Sequence, residues 1–158
     1  MTRKTWIILI ILAVVLLVPA LFVMASEGPT NPPVERQVDW DSPQTKELFY
    51  RACADCHSNE TKWPWYAKVP PASWLVIHDV NEGREKFNIS ALDMGEADDA
   101  AEAVIEGEMP LKIYLPLHPE ARLSDAEKQA LAEGLQKTFG GEGGEAGESD
   151  EHEKDDDD

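Results

Sequence analysis

Cys53-Ala54-Asp55-Cys56-His57 is the stretch whose residue types and spacing could do chemistry: it holds the chain's two cysteines and is closed by a histidine. Two thiols on one helical turn, followed directly by an imidazole, have the C-x-x-C-H spacing of covalent c-type haem attachment. Each sulfur can form a thioether to a haem vinyl group, and the adjacent His57 is then held where it can ligate iron. This reading makes Cys53 and Cys56 the cofactor-binding residues and His57 the proximal iron ligand.

Three other uses of a C-x-x-C pair fit less well. A thioredoxin-like redox pair belongs between a strand and a helix, and no strand pattern of useful length is visible in the chain. A structural zinc site wants four ligands, and there is no second cysteine pair and no His-x-x-x-His. A disulfide across so small a loop would stabilise little.

The elements that must position this motif can be read on either side of it. Arg3 and Lys4 precede a charge-free apolar run from Trp6 to Ala25. About 20 such residues span a bilayer's hydrocarbon core as a helix. Positive charge before the run and Glu27 after it place the N-terminus in the cytoplasm and the rest outside. A cleaved signal peptide ending near Val23-Met24-Ala25 is the competing reading, and it exports the same residues. Residues 26–41, rich in proline and polar groups, read as an extended tether.

Asp41 or Ser42 can cap a helix that has Pro43 at its first position and carries Leu48, Phe49 and Ala52 into Cys53. Trp63-Pro64-Trp65-Tyr66 is an aromatic loop, its rings buried against a porphyrin or filling the core. Pro70-Pro71 opens a helix with Trp74, Leu75, His78 and Val80 that should stop near Gly83. Glu96 to Glu106 reads as a helix with a thin apolar face of Ala100, Val104 and Ile105, ended by a left-handed Gly107. Ser124-Asp125-Ala126-Glu127 is a capping box before the stripe Ala130, Leu131, Leu135 and Phe139. The expected organisation is an anchor or signal at 1–25, a linker at 26–41, a haem-binding domain at 42–139 and an acidic tail at 140–158.

What occupies the second face of the iron is open between two residues. Met109, in Gly107-Glu108-Met109-Pro110, follows a helix on a loop, where a thioether can reach iron without helical strain. His78, one turn after Trp74, is the alternative and would give bis-histidine iron. His118, before Pro119, is a weaker third.

The chain of 158 residues carries a net charge of −17, which argues against nucleic acid as a partner, since phosphate binding needs a basic face. An acidic surface can dock basic redox partners, or simply keep the protein soluble. Scattered Asp and Glu residues form no acid–base constellation and read as solvated surface, so an enzyme is not expected.

From Cys53 to Leu135 the chain resembles the bacterial haem-binding domain family, membrane-anchored relatives of small c-type cytochromes. The resemblance rests on Cys53-Ala54-Asp55-Cys56-His57-Ser58, Trp63-Pro64-Trp65-Tyr66, Pro71-Ala72-Ser73-Trp74 and His78-Asp79-Val80-Asn81-Glu82-Gly83-Arg84. It continues through Gly107-Glu108-Met109-Pro110 and His118-Pro119-Glu120-Ala121-Arg122-Leu123-Ser124. It implies an all-α, cytochrome c-like fold of three to five short helices after one transmembrane helix, and one covalent haem c. It also places the iron-ligand role on His57 and on Met109, while His78 sits within a recurrent block of the family. The expected function is single-electron transfer on the extracytoplasmic side of the bacterial membrane. The alternative is a haem-based sensor or small-ligand binder with an open or displaceable sixth site. A haem peroxidase is disfavoured by the single motif.

Overall fold

Capping residues set where the helices of the domain begin. In the computed structural model, which describes residues 2–25 and 28–140 with backbone alone for 22–25, Ser42 is extended and its hydroxyl accepts from the Thr45 N–H at 3.2 Å. Pro43 fills the first helical position, where a missing N–H costs nothing, and α2 runs Pro43–Ala52. Cys53 breaks the helical path, and the short α3, Ala54–His57, follows at once. The last helix of the domain, Asp125–Phe139, starts from a complete capping box. The Ser124 hydroxyl accepts from the Glu127 N–H, and the Glu127 carboxylate accepts from the Ser124 N–H at 2.8 Å.

Between these lie a 3-10 turn at Trp65–Lys68, α4 at Ala72–Lys86, α5 at Ala100–Ile105 and a second 3-10 turn at Pro119–Ala121, so the helix Asp125–Phe139 is α6. The fold is all-α: among the described residues there is no strand, only an isolated bridge between Phe87 and Gly95. Five α-helices make up the domain, and a sixth, α1 (Arg3–Ala25), precedes it.

The core forms where α2 crosses α6. Thr45 is buried against Gly134, and any side chain at Gly134 would collide with it, so the glycine lets the two helices approach. Phe49, Leu131 and Leu135 are fully buried at the crossing, each contributing about 1.5–3 kcal/mol. Helix α5 packs along α6 and adds Ala101 and Val104. Trp40 lies over Phe49 and Phe139, with ring centroids 5.0 and 5.8 Å away. An Arg51–Glu127 ion pair ties α2 to the α6 capping box.

The structure departs from the sequence reading at four places. The segment expected to be a free tether is bonded to the domain through its described part. Asn59 Nδ2 donates to the Pro33 carbonyl at 2.7 Å, Glu35 and Arg36 N–H groups donate to Ser90, and Asn31 is held by three bonds of its own. Prolines here fix an extended path whose polar groups find partners, so the segment is a strap. Helix α4 continues through Gly83 to Lys86, because Gly83 serves a close packing contact and not a helix stop. Helix α5 is six residues long, Ala100–Ile105, and starts after the expected Glu96: the Glu96 and Ala97 N–H groups donate to the Lys86 and Gly95 carbonyls in the preceding turn; Ile105 is exposed. Trp65, read as covered by a porphyrin or by the core, is not part of the core: it is 77% exposed to the protein's surroundings and begins a 3-10 turn.

Helix α1 stands apart in character. Its side chains from Trp6 to Leu21 are exposed around the whole circumference, and it is long and apolar enough to cross a membrane. Pro19 lies within it, a placement that membrane helices tolerate. The acidic tail beyond Gly140 lies outside the described residues.

Candidate functional site

Cys53, Cys56 and His57 are brought to one face by the α2–α3 junction. The Cys53 N–H closes α2 on the Phe49 carbonyl at 2.8 Å, and the Cys53 carbonyl accepts from Cys56 and His57 N–H groups at 3.1 and 3.0 Å. Both thiols are free and partly exposed. His57 Nδ1 lies 3.0 Å from the Phe87 carbonyl oxygen. A carbonyl can only accept, so Nδ1 carries the proton and Nε2 presents a lone pair. The Phe87 ring packs beside the imidazole at 5.4 Å and leads through Phe49 and Phe139 into the core. Burial pushes the His57 pKa below its ordinary value, against the opposing pull of the backbone of Phe87 and of Gly83. A neutral, oriented imidazole with a free nitrogen is what a metal ligand requires.

Helix α4 forms the wall behind the motif. An ideal Cβ at Gly83 would lie 2.9 Å from the Cys56 carbonyl oxygen and 3.0 Å from the Cys56 Cβ, so only glycine fits without a shift. Arg84 then reaches across: its Nε donates to the Ser58 carbonyl at 2.9 Å, and its Nη2 to Thr61 Oγ1 and Asn31 Oδ1, each at 2.8 Å. Thr61 Oγ1 in turn donates to the Asp55 carbonyl at 2.7 Å. The motif is thereby fixed on both flanks by backbone and side-chain bonds.

The thiols are poor nucleophiles in this setting. Burial, followed by the neighbouring Cys56, pushes Cys53 up to about 12. Burial and the carboxylates of Asp55 and Asp79 push Cys56 up to about 11. Dithiol oxidoreductases work through a lowered thiol pKa, so this environment speaks against a redox pair. Neither cysteine joins the group of metal-capable side chains found among the described residues, which is His78, Asp79 and Glu82.

The two residues expected for the second face are placed differently. Gly107 is left-handed, with φ +74°, and this lets both the Glu108 and Met109 N–H groups fold back onto the Ala103 carbonyl at 3.0 and 3.1 Å. Met109 is half-buried at the start of the loop after α5. His78 is exposed on α4 and pairs with Glu82 at 3.4 Å. At about 100° per residue, His78 points roughly 140° away from the Gly83 direction that faces Cys56. His118 is fixed elsewhere: its ring stacks on Tyr114 at 3.7 Å, and its Nδ1 donates to the Tyr114 carbonyl at 3.0 Å.

A family model for a haem-binding domain matches residues 13–137, from within α1 almost to the end of α6. The chain belongs to the haem-binding domain family. Haem is therefore the ligand of this domain, and the Cys53–His57 motif lies within the matched span. No curated protein and no solved structure matches the chain significantly.

Two contributors to the site were invisible in the sequence reading. The Phe87 carbonyl is a backbone group thirty residues from His57, so no side-chain signal could announce it. Tyr114 bonds Asp55 Oδ2 at 2.8 Å and holds the loop after Met109 against the motif. Its offset from the Gly107–Pro110 segment was the signal available.

Proposed function

We propose that this haem-binding protein is a membrane-anchored monohaem c-type cytochrome that carries single electrons outside the cytoplasmic membrane. The observation that carries the proposal is the His57 imidazole, held by the Phe87 carbonyl with Nε2 free and two unpaired thiols on the same turn. These residues fit the group: Cys53 and Cys56 would hold it by thioethers, and His57 would be the proximal ligand. When bound, haem supplies an iron centre that accepts and releases one electron.

The chain's own part is to bind, orient and shield. The Phe87 carbonyl fixes the His57 tautomer and strengthens it as a donor. Gly83 and Arg84 brace the turn that carries both sulfurs. Met109 would supply the second protein ligand to the iron in this reading: it is half-buried and its backbone is fixed to α5, whereas His78 faces solvent beside Glu82. Thioether ligation raises the reduction potential, as an electron carrier needs. In this reading the protein is a carrier and not an enzyme. Arg3 and Lys4, which open α1 ahead of its apolar stretch, support an extracytoplasmic domain by the positive-inside rule.

The test is spectroscopy of the full chain produced with a haem-attachment system. Haem should stay with the polypeptide in denaturing electrophoresis and be lost from the Cys53→Ala/Cys56→Ala variant. The ferric protein should show a near-infrared sulfur-to-iron band, absent from Met109→Ala and kept in His78→Ala. A wild type without that band whose spectrum changes on His78→Ala would assign the ligand to His78. Rapid stoichiometric carbon monoxide binding to the reduced wild type would instead indicate a sensor.

A further inference from the structure

The strap fixes how far the haem domain can stand from α1. Ala25 ends α1, and Gly28 is three residues on. At about 3.6 Å per residue, Gly28 lies within roughly 11 Å of the end of that helix. Asn31, six residues on, is already clamped: its Nδ2 donates to the Thr61 carbonyl at 2.9 Å, and its Oδ1 accepts from Trp63 Nε1 and Arg84 Nη2. The domain surface around Gly28 and Asn31 is thus the part nearest any membrane that α1 crosses.

That surface has the chemistry of a bilayer interface. An ideal Cβ at Gly28 would lie 2.7 Å from Lys68 Cε, so the side chain of Lys68, which ends the 3-10 turn Trp65–Lys68, lies against the start of the strap. Trp65 opens that turn at 77% exposure, and Trp74, on the first turn of the adjoining α4, is 69% exposed. Trp63 is spoken for by Asn31 and by the Arg84 guanidinium 5.7 Å from its ring; Trp65 and Trp74 are the ones left bare. Residues 61–77 hold Lys62, Lys68 and three of the five tryptophans, with no acid, in a chain of 31 acidic residues. Residues 28–34 carry no charge at all. Tryptophan concentrates at membrane–water interfaces, where its apolar ring and N–H both find partners. Lysine beside such rings draws anionic headgroups.

We propose that the segment Lys62–Leu75 rests in the phospholipid headgroup layer beside the end of α1, with Trp65 and Trp74 inserted and Lys62 and Lys68 on anionic headgroups. This rests on the membrane reading of α1 and adds that the domain lies on the bilayer in one orientation. The bond chain Asn31–Arg84–Ser58 then carries that orientation to the Cys53–His57 motif.

The experiment uses the full chain in nanodiscs of phosphatidylcholine with phosphatidylglycerol, carrying a photo-crosslinking residue at one position at a time. Trp65→p-benzoylphenylalanine and Trp74→p-benzoylphenylalanine should each give phospholipid adducts on illumination. Gln136→p-benzoylphenylalanine, exposed on α6, should give none. Trp6→p-benzoylphenylalanine, inside α1, reports on the anchor. Adducts at position 6 but not at 65 and 74 overturn the docking and leave the anchor intact. No adducts at any position overturn both. Adducts at 136 equal to those at 65, or coupling of position 65 to porphyrin in place of lipid, also overturn the proposal. Lys62→Glu/Lys68→Glu should lower the yield at position 65 in discs containing phosphatidylglycerol and leave it unchanged in phosphatidylcholine alone. An equal yield in both removes the lysines from the contact.

Discussion

Replacing Gly83 by alanine sets two opposed effects against each other at the wall of the site. In a helix interior alanine is favoured over glycine by about 0.8–1.0 kcal/mol, so helix propensity alone predicts a stabler protein. The added methyl, however, would lie 2.9 Å from the Cys56 carbonyl oxygen, 3.0 Å from its Cβ and 3.2 Å from its carbonyl carbon. Ordinary contacts need several tenths of an ångström more, and two of those atoms are backbone, which cannot rotate aside. Overpacking of this kind costs about 1–3 kcal/mol. The net expectation for Gly83→Ala is a loss of about 0–2 kcal/mol once propensity is subtracted. At about 4 °C per kcal/mol for a domain this size, Tm should fall by up to roughly 8 °C. Thermal unfolding followed by far-ultraviolet circular dichroism measures this on the haem-loaded chain. Because the clash falls on Cys56, the haem absorption spectrum should shift too. Gly83→Val, with a branched Cβ, should be worse on both readouts. A Gly83→Ala protein that melts higher than wild type with an unchanged spectrum would refute the close-contact argument and leave only helix propensity.

Three further outcomes follow from the same geometry. Bonds from Arg51 and Ser124 hold the Glu127 carboxyl down at about 2, below its ordinary 4.5. A depressed acid contributes stability that is present above 4.5 and lost as pH falls toward about 2; the acid limb of Tm against pH should flatten in Glu127→Gln, and an unchanged limb would rule this pair out as its source. At the α2–α6 crossing, Gly134→Ala drives a methyl into Thr45; pairing it with Thr45→Ala should cost less than the sum of the single losses, and strict additivity in urea unfolding would contradict the contact. Tyr114→Phe removes the hydroxyl that bonds Asp55 and should lower stability by about 0.5–1.5 kcal/mol, up to ~3 if Asp55 is left unpaired. Denaturant midpoints identical to wild type would mean that the bond adds nothing.

The grouping of the Cys53–His57 motif and the starts of the best-capped helices are local properties, and the sequence alone determined them. Cys53, Cys56 and His57 are adjacent in the chain, so one helical turn suffices to gather them. Ser42, Ser124 and Gly107 act on backbone groups within a few residues of themselves, so their effects could be read without knowing the fold. The all-α class followed from the same local patterns.

Only the tertiary structure decided how the motif is held. The Phe87 carbonyl that sets the His57 tautomer is a main-chain atom, identical at every residue until the fold brings one of them within hydrogen-bonding distance. Gly83 looked like a helix stop because glycine is the usual residue there; its reason is a helix–motif approach that no local signal encodes. Residues 28–40 looked like a tether because prolines and polar groups are shared by free linkers and by straps. What separates the two is whether Thr61, Trp63, Arg84, Asn59 and Ser90 stand where the strap's donors and acceptors pass. Sequence supplied the groups that bind, and long-range packing supplied their orientation, since hydrogen-bond geometry depends on positions that distant segments share only once folded.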